Sequence, residues 1–161
     1  LVHRKVDTAR ELPVLIDRQL VLTDVRTILE YIDERFPHPP LMPIDPAERA
    51  AARQAIEEIR GEFYKMADII ENGSAAKVRA ARKSLISGLT GLATSMGRRK
   101  YFLGSEISLV DCAMAPVLWR LGSLGVKMPG SAENLNEYAQ RLFARPAFKA
   151  SLTEIEEGLR V

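Results

Sequence analysis

The spacing of apolar residues changes along the chain, and each change marks a different kind of element. Two short apolar runs, residues 12–17 and 19–22, are separated by a polar turn, which predicts two adjacent strands. A polar N-cap follows at Thr23 or Asp24, with apolar residues at helical spacing behind it up to about Phe36. This part of the chain is therefore predicted to be a strand–strand–helix unit.

A proline cluster interrupts the pattern after this helix. Residues 37–43 contain four prolines. Proline has no N–H to donate and keeps the preceding residue out of the helical region, so we expect a stiff, non-helical segment. We interpret residues 37–44 as a linker between two domains, residues 1–36 and residues 45–161.

Beyond the linker the apolar positions have the period of helices. An Asp-Pro pair opens a predicted helix over residues 46–72, because Asp is a good N-cap and proline suits the first helical position. A second helix is predicted over residues 74–97. Its internal glycines, Gly88 and Gly91, either weaken it or let another helix approach closely.

The most apolar helix of the chain is predicted next. Ser-Leu-Val-Asp at residues 108–111 can form a capping box, in which the two polar side chains bond each other's backbone amides. Residues 109–124 are apolar on most faces, which is typical of a central, buried helix. Pro116 lies inside it and can kink it. Two more helices are predicted at about 133–145 and 146–157.

Composition narrows the possible chemistry. The chain has 161 residues, 47% of them hydrophobic, which is enough for a buried core. A single cysteine excludes a disulfide framework, and two histidines make a histidine-based metal site improbable. No apolar run approaches the roughly 20 residues of a membrane span, and no signal peptide is visible. We expect no metal, no cofactor, no membrane contact and a cytoplasmic location.

Charge is unevenly distributed, although the net charge is only +2. Residues 45–72 carry four basic and seven acidic side chains, whereas residues 75–100 carry seven basic and no acidic ones. An anionic partner would suit the basic segment. A solvated helix face balanced by its acidic neighbour explains it as well, and no aromatic residues are interleaved for base stacking.

Few single residues suggest chemistry. Cys112 lies one turn into the most apolar helix, and we expect a buried structural thiol. His38 is flanked by Pro37 and Pro39, so a stiff segment presents it for recognition, or it is an unimportant linker histidine. We predict no catalytic residue, because the sequence identifies no nucleophile or orienting carboxylate that could be paired with His38.

Four segments resemble one known family. They are Tyr31–Pro43, Ser108–Cys112, Leu118–Leu121 and Ser151–Glu154, and the resemblance extends from about Leu12 to Arg160. The family is that of stringent starvation protein A, within the glutathione-transferase-like superfamily. The resemblance implies an α/β thioredoxin-like N-terminal domain, here incomplete, followed by an all-helical C-terminal domain.

The resemblance also assigns roles to the first residues. Pro13 matches the cis-proline that precedes a strand in the thioredoxin-like half. The family's first strand–helix–strand unit is longer than the 12 residues before Pro13, so we expect the chain to lack it. Thr23-Asp24 occupies the position where active transferases place Glu-Ser to hold glutathione. An ionised Asp only accepts hydrogen bonds and would repel a ligand carboxylate.

The function implied by the resemblance is non-enzymatic. Members of this family associate with RNA polymerase holoenzyme and regulate transcription under starvation and acid stress, touching nucleic acid only through the polymerase. A Pro-His-Pro surface patch carries the contact in the family. We therefore predict a partner-binding site formed by Pro37, His38 and Pro39 and extended by Tyr31, Glu34 and Arg35.

Two other functions stay open at this point. One is a glutathione-binding protein or glutathione transferase-like enzyme, against which Thr23-Asp24 argues. The other is a heterodimer with a paralogue whose interface binds a nucleotide alarmone, weakly favoured by the basic residues. We otherwise expect a homodimer, because this fold usually dimerises.

Overall fold

A short antiparallel hairpin begins residues 13–159, the part of the chain that the computed structural model describes. It consists of β1 (Leu15–Asp17) and β2 (Leu20–Leu22). Arg18 turns the chain between them with a φ of 55°. The predicted pair of strands is confirmed, although both are shorter than the apolar runs, and residue 12 lies outside the described residues.

Helix α1 (Val25–Arg35) follows the hairpin and ends where the proline cluster was expected to end it. Its N-cap is Asp24, whose carboxylate accepts a hydrogen bond from the Thr27 amide at 2.8 Å. The prediction of a polar N-cap is confirmed, and Asp24 rather than Thr23 fills that position.

The described chain divides into two compact units, one up to Met42 and one from Pro43 onward. The division falls inside the segment interpreted as a linker. The first unit contains the hairpin, α1 and the proline cluster up to Met42, and all the regular elements of the second unit are helices.

The predicted helix over residues 46–72 is a helical rod in three parts. Helix α2 (Pro46–Ile59) is capped by Asp45, a π-helical segment (Arg60–Tyr64) follows, and α3 (Lys65–Asn72) completes the rod. Buried positions recur every three or four residues through all three parts. The spacing of apolar residues therefore does not predict the π-helical segment, in which each turn of the helix is wider.

Helix α4 (Ala75–Met96) packs along α3 and ends at Gly97, whose φ of +55° few other residues adopt easily. A Cβ placed on Gly88 would lie 2.9 Å from Cε1 of Phe63, whereas one on Gly91 would meet nothing within 4 Å. Gly88 therefore allows the close approach of another helical segment. Gly91 faces open space, so close packing does not explain the glycine there.

Helix α5 (Leu109–Trp119) is the central helix and lies against α2 and against α6 (Glu133–Phe143). It is shorter than the predicted 109–124. The chain leaves the helix after Trp119 and turns through Gly125, whose φ is +65°. The Leu124 carbonyl in this turn accepts a hydrogen bond from Nε of Arg82 at 2.8 Å.

The capping box of α5 forms and is extended by two further donors. Asp111 is fully buried, and its Oδ2 accepts bonds of 2.7 Å from both the amide and the hydroxyl of Ser108. Its Oδ1 accepts from the Phe102 amide at 2.8 Å and from the Tyr138 hydroxyl at 2.7 Å. Burial, and then the Asp111 charge, raises the pKa of Tyr138 far above its usual range. The Tyr138 hydroxyl therefore stays protonated and donates the kind of hydrogen bond that a buried carboxylate needs.

Two further predictions about the helical unit are wrong. The helix expected over 146–157 is α7 (Pro146–Ser151) and α8 (Glu154–Glu157), because Thr153 starts a new helix with its own capping box. Cys112 is only partly buried, because it lies on the same side of α5 as Pro116, one turn further along, which is exposed.

Candidate functional site

The loop after α1 presents the predicted Pro-His-Pro patch to solvent. Pro37, His38 and Pro39 are all exposed. The His38 amide donates to the Phe36 carbonyl at 2.9 Å, which makes a tight local turn. The His38–Pro39 peptide bond is cis. The cis-proline implied at Pro13 cannot be compared, because its bond involves residue 12, outside the described residues.

A buried carboxylate fastens this loop to α1. Asp33 lies in the last turns of α1 and is 9% exposed. Its Oδ1 accepts the Leu41 amide at 2.6 Å, and its Oδ2 accepts the Met42 amide at 3.1 Å. Both bonds are to the backbone, so they fix the path of the loop whatever its side chains are. The residues between Asp33 and Leu41 therefore form a closed loop with both ends held.

The loop offers a mixed apolar and polar surface. Phe36 is 68% exposed and directly precedes Pro37 in the chain. The Arg35 guanidinium lies 5.4 Å from the centre of that ring, a cation–π arrangement. His38 adds an imidazole that donates and accepts hydrogen bonds. Such a surface can bury apolar area against a partner while the imidazole selects an orientation.

The three residues expected to extend the patch are placed differently from one another. Glu34 and Arg35 are exposed next to the loop. Tyr31 is half-buried, and its hydroxyl donates to Oδ2 of Asp17 in the hairpin at 2.5 Å. This bond to a carboxylate is the main reason that the pKa of Tyr31 is raised. The Tyr31 hydroxyl thus braces α1 against the hairpin.

The position expected for glutathione is occupied by a helix cap. Oδ1 of Asp24 accepts from both the amide and the hydroxyl of Thr27 at 2.8 Å. A carboxylate used in this way stabilises the helix N-terminus, where unpaired amides and the positive end of the dipole lie. Among residues 13–159 no group of three side chains suited to a metal ion occurs, and no helix there is long and apolar enough to cross a membrane.

Sequence reasoning missed two residues of this site. Asp33 was treated as part of a helical motif, although an acidic side chain near a helix C-terminus is electrostatically unfavourable and signals another partner. Phe36 was treated only as the end of the helix. A large apolar residue directly before a proline cluster was the available signal for an exposed recognition loop.

Comparison with known proteins identifies the fold to which the two units belong. Residues 37–146 match the family "Glutathione S-transferase, C-terminal domain". The solved structure "Ternary complex of BphK, a bacterial GST" superimposes with a TM-score of 0.83 at 25% identity, covering 93% of this chain and 76% of that one. The hairpin, α1 and the helical unit thus define a protein of the glutathione S-transferase fold.

Curated relatives narrow the class further. A stringent starvation protein A homolog of Coxiella burnetii is 45% identical over 150 residues, which is 92% of this chain and 72% of the relative. One from Haemophilus influenzae is 41% identical, over 88% of this chain and 68% of the relative. The chain belongs to the stringent starvation protein A family.

Proposed function

We propose that this protein is an RNA polymerase-associated transcription regulator of the starvation and stress response. It acts by protein–protein contact through the patch of Pro37, His38 and Pro39, without catalysing a reaction. The contact is with the polymerase holoenzyme in the cytoplasm, and the protein acts as a homodimer or as a heterodimer with a paralogue.

One observation supports this proposal above the others: the loop is both exposed and held. Its side chains are accessible, and its backbone is fastened by the two hydrogen bonds to Asp33. A surface that is ordered before binding loses little conformational entropy when it binds. The family relationship supports a role in the starvation response, since the curated relatives are named for stringent starvation.

A pull-down from native cell lysate tests the proposal. The intact protein should retain the subunits of RNA polymerase, and the His38→Ala variant should retain markedly less. Pro129→Ala is a suitable control, because Pro129 is an exposed proline that belongs to the helical unit and not to the unit that carries the loop. If the wild type retains no polymerase, or if both variants retain it equally well, the patch is not the contact.

A glutathione-dependent function is the second candidate, because the fold is that of glutathione S-transferases. The bonds from Thr27 that occupy the Asp24 carboxylate count against it. Retention on immobilised glutathione, together with a conjugation assay, separates the two functions. We expect neither retention nor conjugation, and a clear signal in both would favour the enzyme.

A further inference from the structure

A cavity at the C-terminal end of α4 collects arginine side chains. Its volume is about 340 Å³, which is within the range of small-molecule sites. It lies wholly within the helical unit, between the end of α4 and the outer side of α6. Its lining residues are Gly97, Arg98, Arg99, Asn134, Glu137 and Arg141.

The charges of this lining do not balance one another. Three guanidinium groups and one carboxylate, that of Glu137, leave a net charge of +2 around one small cavity. Arginine stays protonated at any pH at which the protein is folded. Like charges brought together cost free energy unless something of opposite sign lies between them. A phosphate group carries about −1.5 to −2 at neutral pH and would match this excess, whereas a single carboxylate would leave part of it uncompensated.

Two of the arginines are held in place by backbone carbonyls. Arg99 donates from Nε to the Met96 carbonyl at 3.1 Å and from Nη2 to the Ser95 carbonyl at 2.8 Å. Arg141 donates from Nη1 to the Lys100 carbonyl at 2.7 Å. A guanidinium has five N–H groups, so each of these side chains retains donors beyond the ones that fix it.

The negative end of the α4 dipole would by itself repel an anion. Here four carbonyls at that end of the helix already accept hydrogen bonds. Nδ2 of Asn134 donates to the carbonyls of Ala93 at 2.6 Å and Gly97 at 2.8 Å, and Arg99 covers those of Ser95 and Met96. Arg98 is exposed and makes no hydrogen bond or ion pair with any other residue that the structure describes. Its guanidinium contributes nothing to the fold that a ligand would have to disrupt.

We propose that this cavity binds the phosphate group of a small molecule. Arginine matches phosphate because its planar N–H groups form paired, charge-assisted hydrogen bonds to the oxygens. An extended nucleic acid is a poorer match. Lys100 directly follows Arg99 and belongs with the arginines of the cavity. The other basic residues of the segment, from Lys77 to Lys83, lie in the first half of α4, and Lys83 is about 20 Å from the end of the helix at 1.5 Å per residue. The basic residues are thus two separate groups and no continuous track.

Calorimetric titration of the full chain tests this site. The probes are inorganic phosphate and glycerol 3-phosphate, each added at constant ionic strength so that screening stays the same. Arg98→Gln should weaken binding about tenfold or more, because it removes charge-assisted bonds and leaves the fold intact. Glu137→Gln should tighten binding several-fold by removing the one carboxylate. Lys83→Gln, an exposed cation of α4 outside the cavity, is the matched control and should change binding less than about twofold.

Each outcome decides the matter. Saturable binding that Arg98→Gln weakens, Glu137→Gln tightens and Lys83→Gln leaves alone supports the site. A stronger signal with glycerol 3-phosphate would identify the ligand as a phosphate ester, and equal signals would identify the free anion. Absence of saturable binding by either probe would overturn the proposal. So would equal weakening by Arg98→Gln and Lys83→Gln, since that result indicates diffuse attraction by net charge.

Discussion

At the scale of single residues, the carboxylates do most to define local structure. Asp24 begins α1 and Asp45 begins α2. Asp33 fastens the loop that follows α1, and Asp111 accepts from four donors in the core. Each accepts from backbone amides, which cannot move without moving the chain. The side chains displayed by the loop can therefore be specialised for a partner, because Asp33 rather than His38 maintains its shape.

Removing the Asp33 carboxylate should loosen the loop without altering the patch itself. Asp33→Ala leaves the amides of Leu41 and Met42 without their acceptor, at a cost of about 1–3 kcal/mol in the free energy of unfolding. Denaturant unfolding measures that cost, and limited proteolysis between residues 36 and 42 measures the loosening. Glu34→Gln, on the exposed side of the same turn, should change stability by less than about 0.5 kcal/mol. Equal stability of the two variants would show that Asp33 does not hold the loop.

Acidification should loosen the C-terminal turn through Glu156. Hydrogen bonds from the amide and the hydroxyl of Thr153 hold the pKa of Glu156 below its ordinary value of 4.5. A lowered pKa in the folded state means that the ionised form stabilises α8 above pH 4.5, and that this contribution is lost as the pH falls through the lower value. The indole of Trp119 donates to the Glu156 carbonyl at 2.7 Å, so tryptophan fluorescence should follow the change.

Thr153→Ala is the variant that checks this assignment. It removes the hydroxyl donor and retains the amide, so the pKa of Glu156 should rise part of the way to 4.5 in an NMR titration. A Glu156 pKa that stays the same in the variant would rule out the hydroxyl as a cause.

At the scale of whole elements, glycines show where helices must approach one another. Gly88→Ala should destabilise the protein, because the new methyl group would lie 2.9 Å from the buried ring of Phe63 in the π-helical segment. Gly91→Ala, one turn further along α4, should stabilise it by about 0.5–1 kcal/mol, since alanine favours the helix and the position is open. Thermal unfolding of the two variants should shift in opposite directions. Equal stabilisation would mean that the Phe63 ring moves aside freely.

The starts of three helices were predictable from the side chains that cap them, whereas the cap of α8 at Thr153 was missed. Asp24, Asp45 and Ser108 were recognisable from the sequence, because their polar groups precede apolar residues at helical spacing. The π-helical segment was not predictable, since buried positions keep the same spacing through it. The partners of Asp33, and the partners of Asp111 outside its capping box, were missed for another reason. They are backbone amides and a tyrosine brought together by the tertiary fold, and the spacing of residues along the chain does not contain that information.

At the scale of the whole molecule, the two proposed binding sites lie in different compact units. The unit up to Met42 carries an apolar and imidazole-bearing loop suited to a protein partner. The unit from Pro43 carries an arginine-lined cavity suited to a small anion. Since the cavity residues and the loop residues belong to different units, substitutions in one should leave the binding properties of the other unchanged, provided that each unit folds normally.

The affinity of purified RNA polymerase holoenzyme for this protein tests the central claim most directly. We compare the wild type with a variant in which Pro37, His38 and Pro39 are all alanine, and use Pro129→Ala as the control. Denaturant unfolding of all three verifies that the fold is intact. We expect the triple variant to lose binding by tenfold or more, corresponding to about 1.4 kcal/mol per factor of ten, while the control binds like the wild type. Undiminished binding of a folded triple variant would contradict the claim.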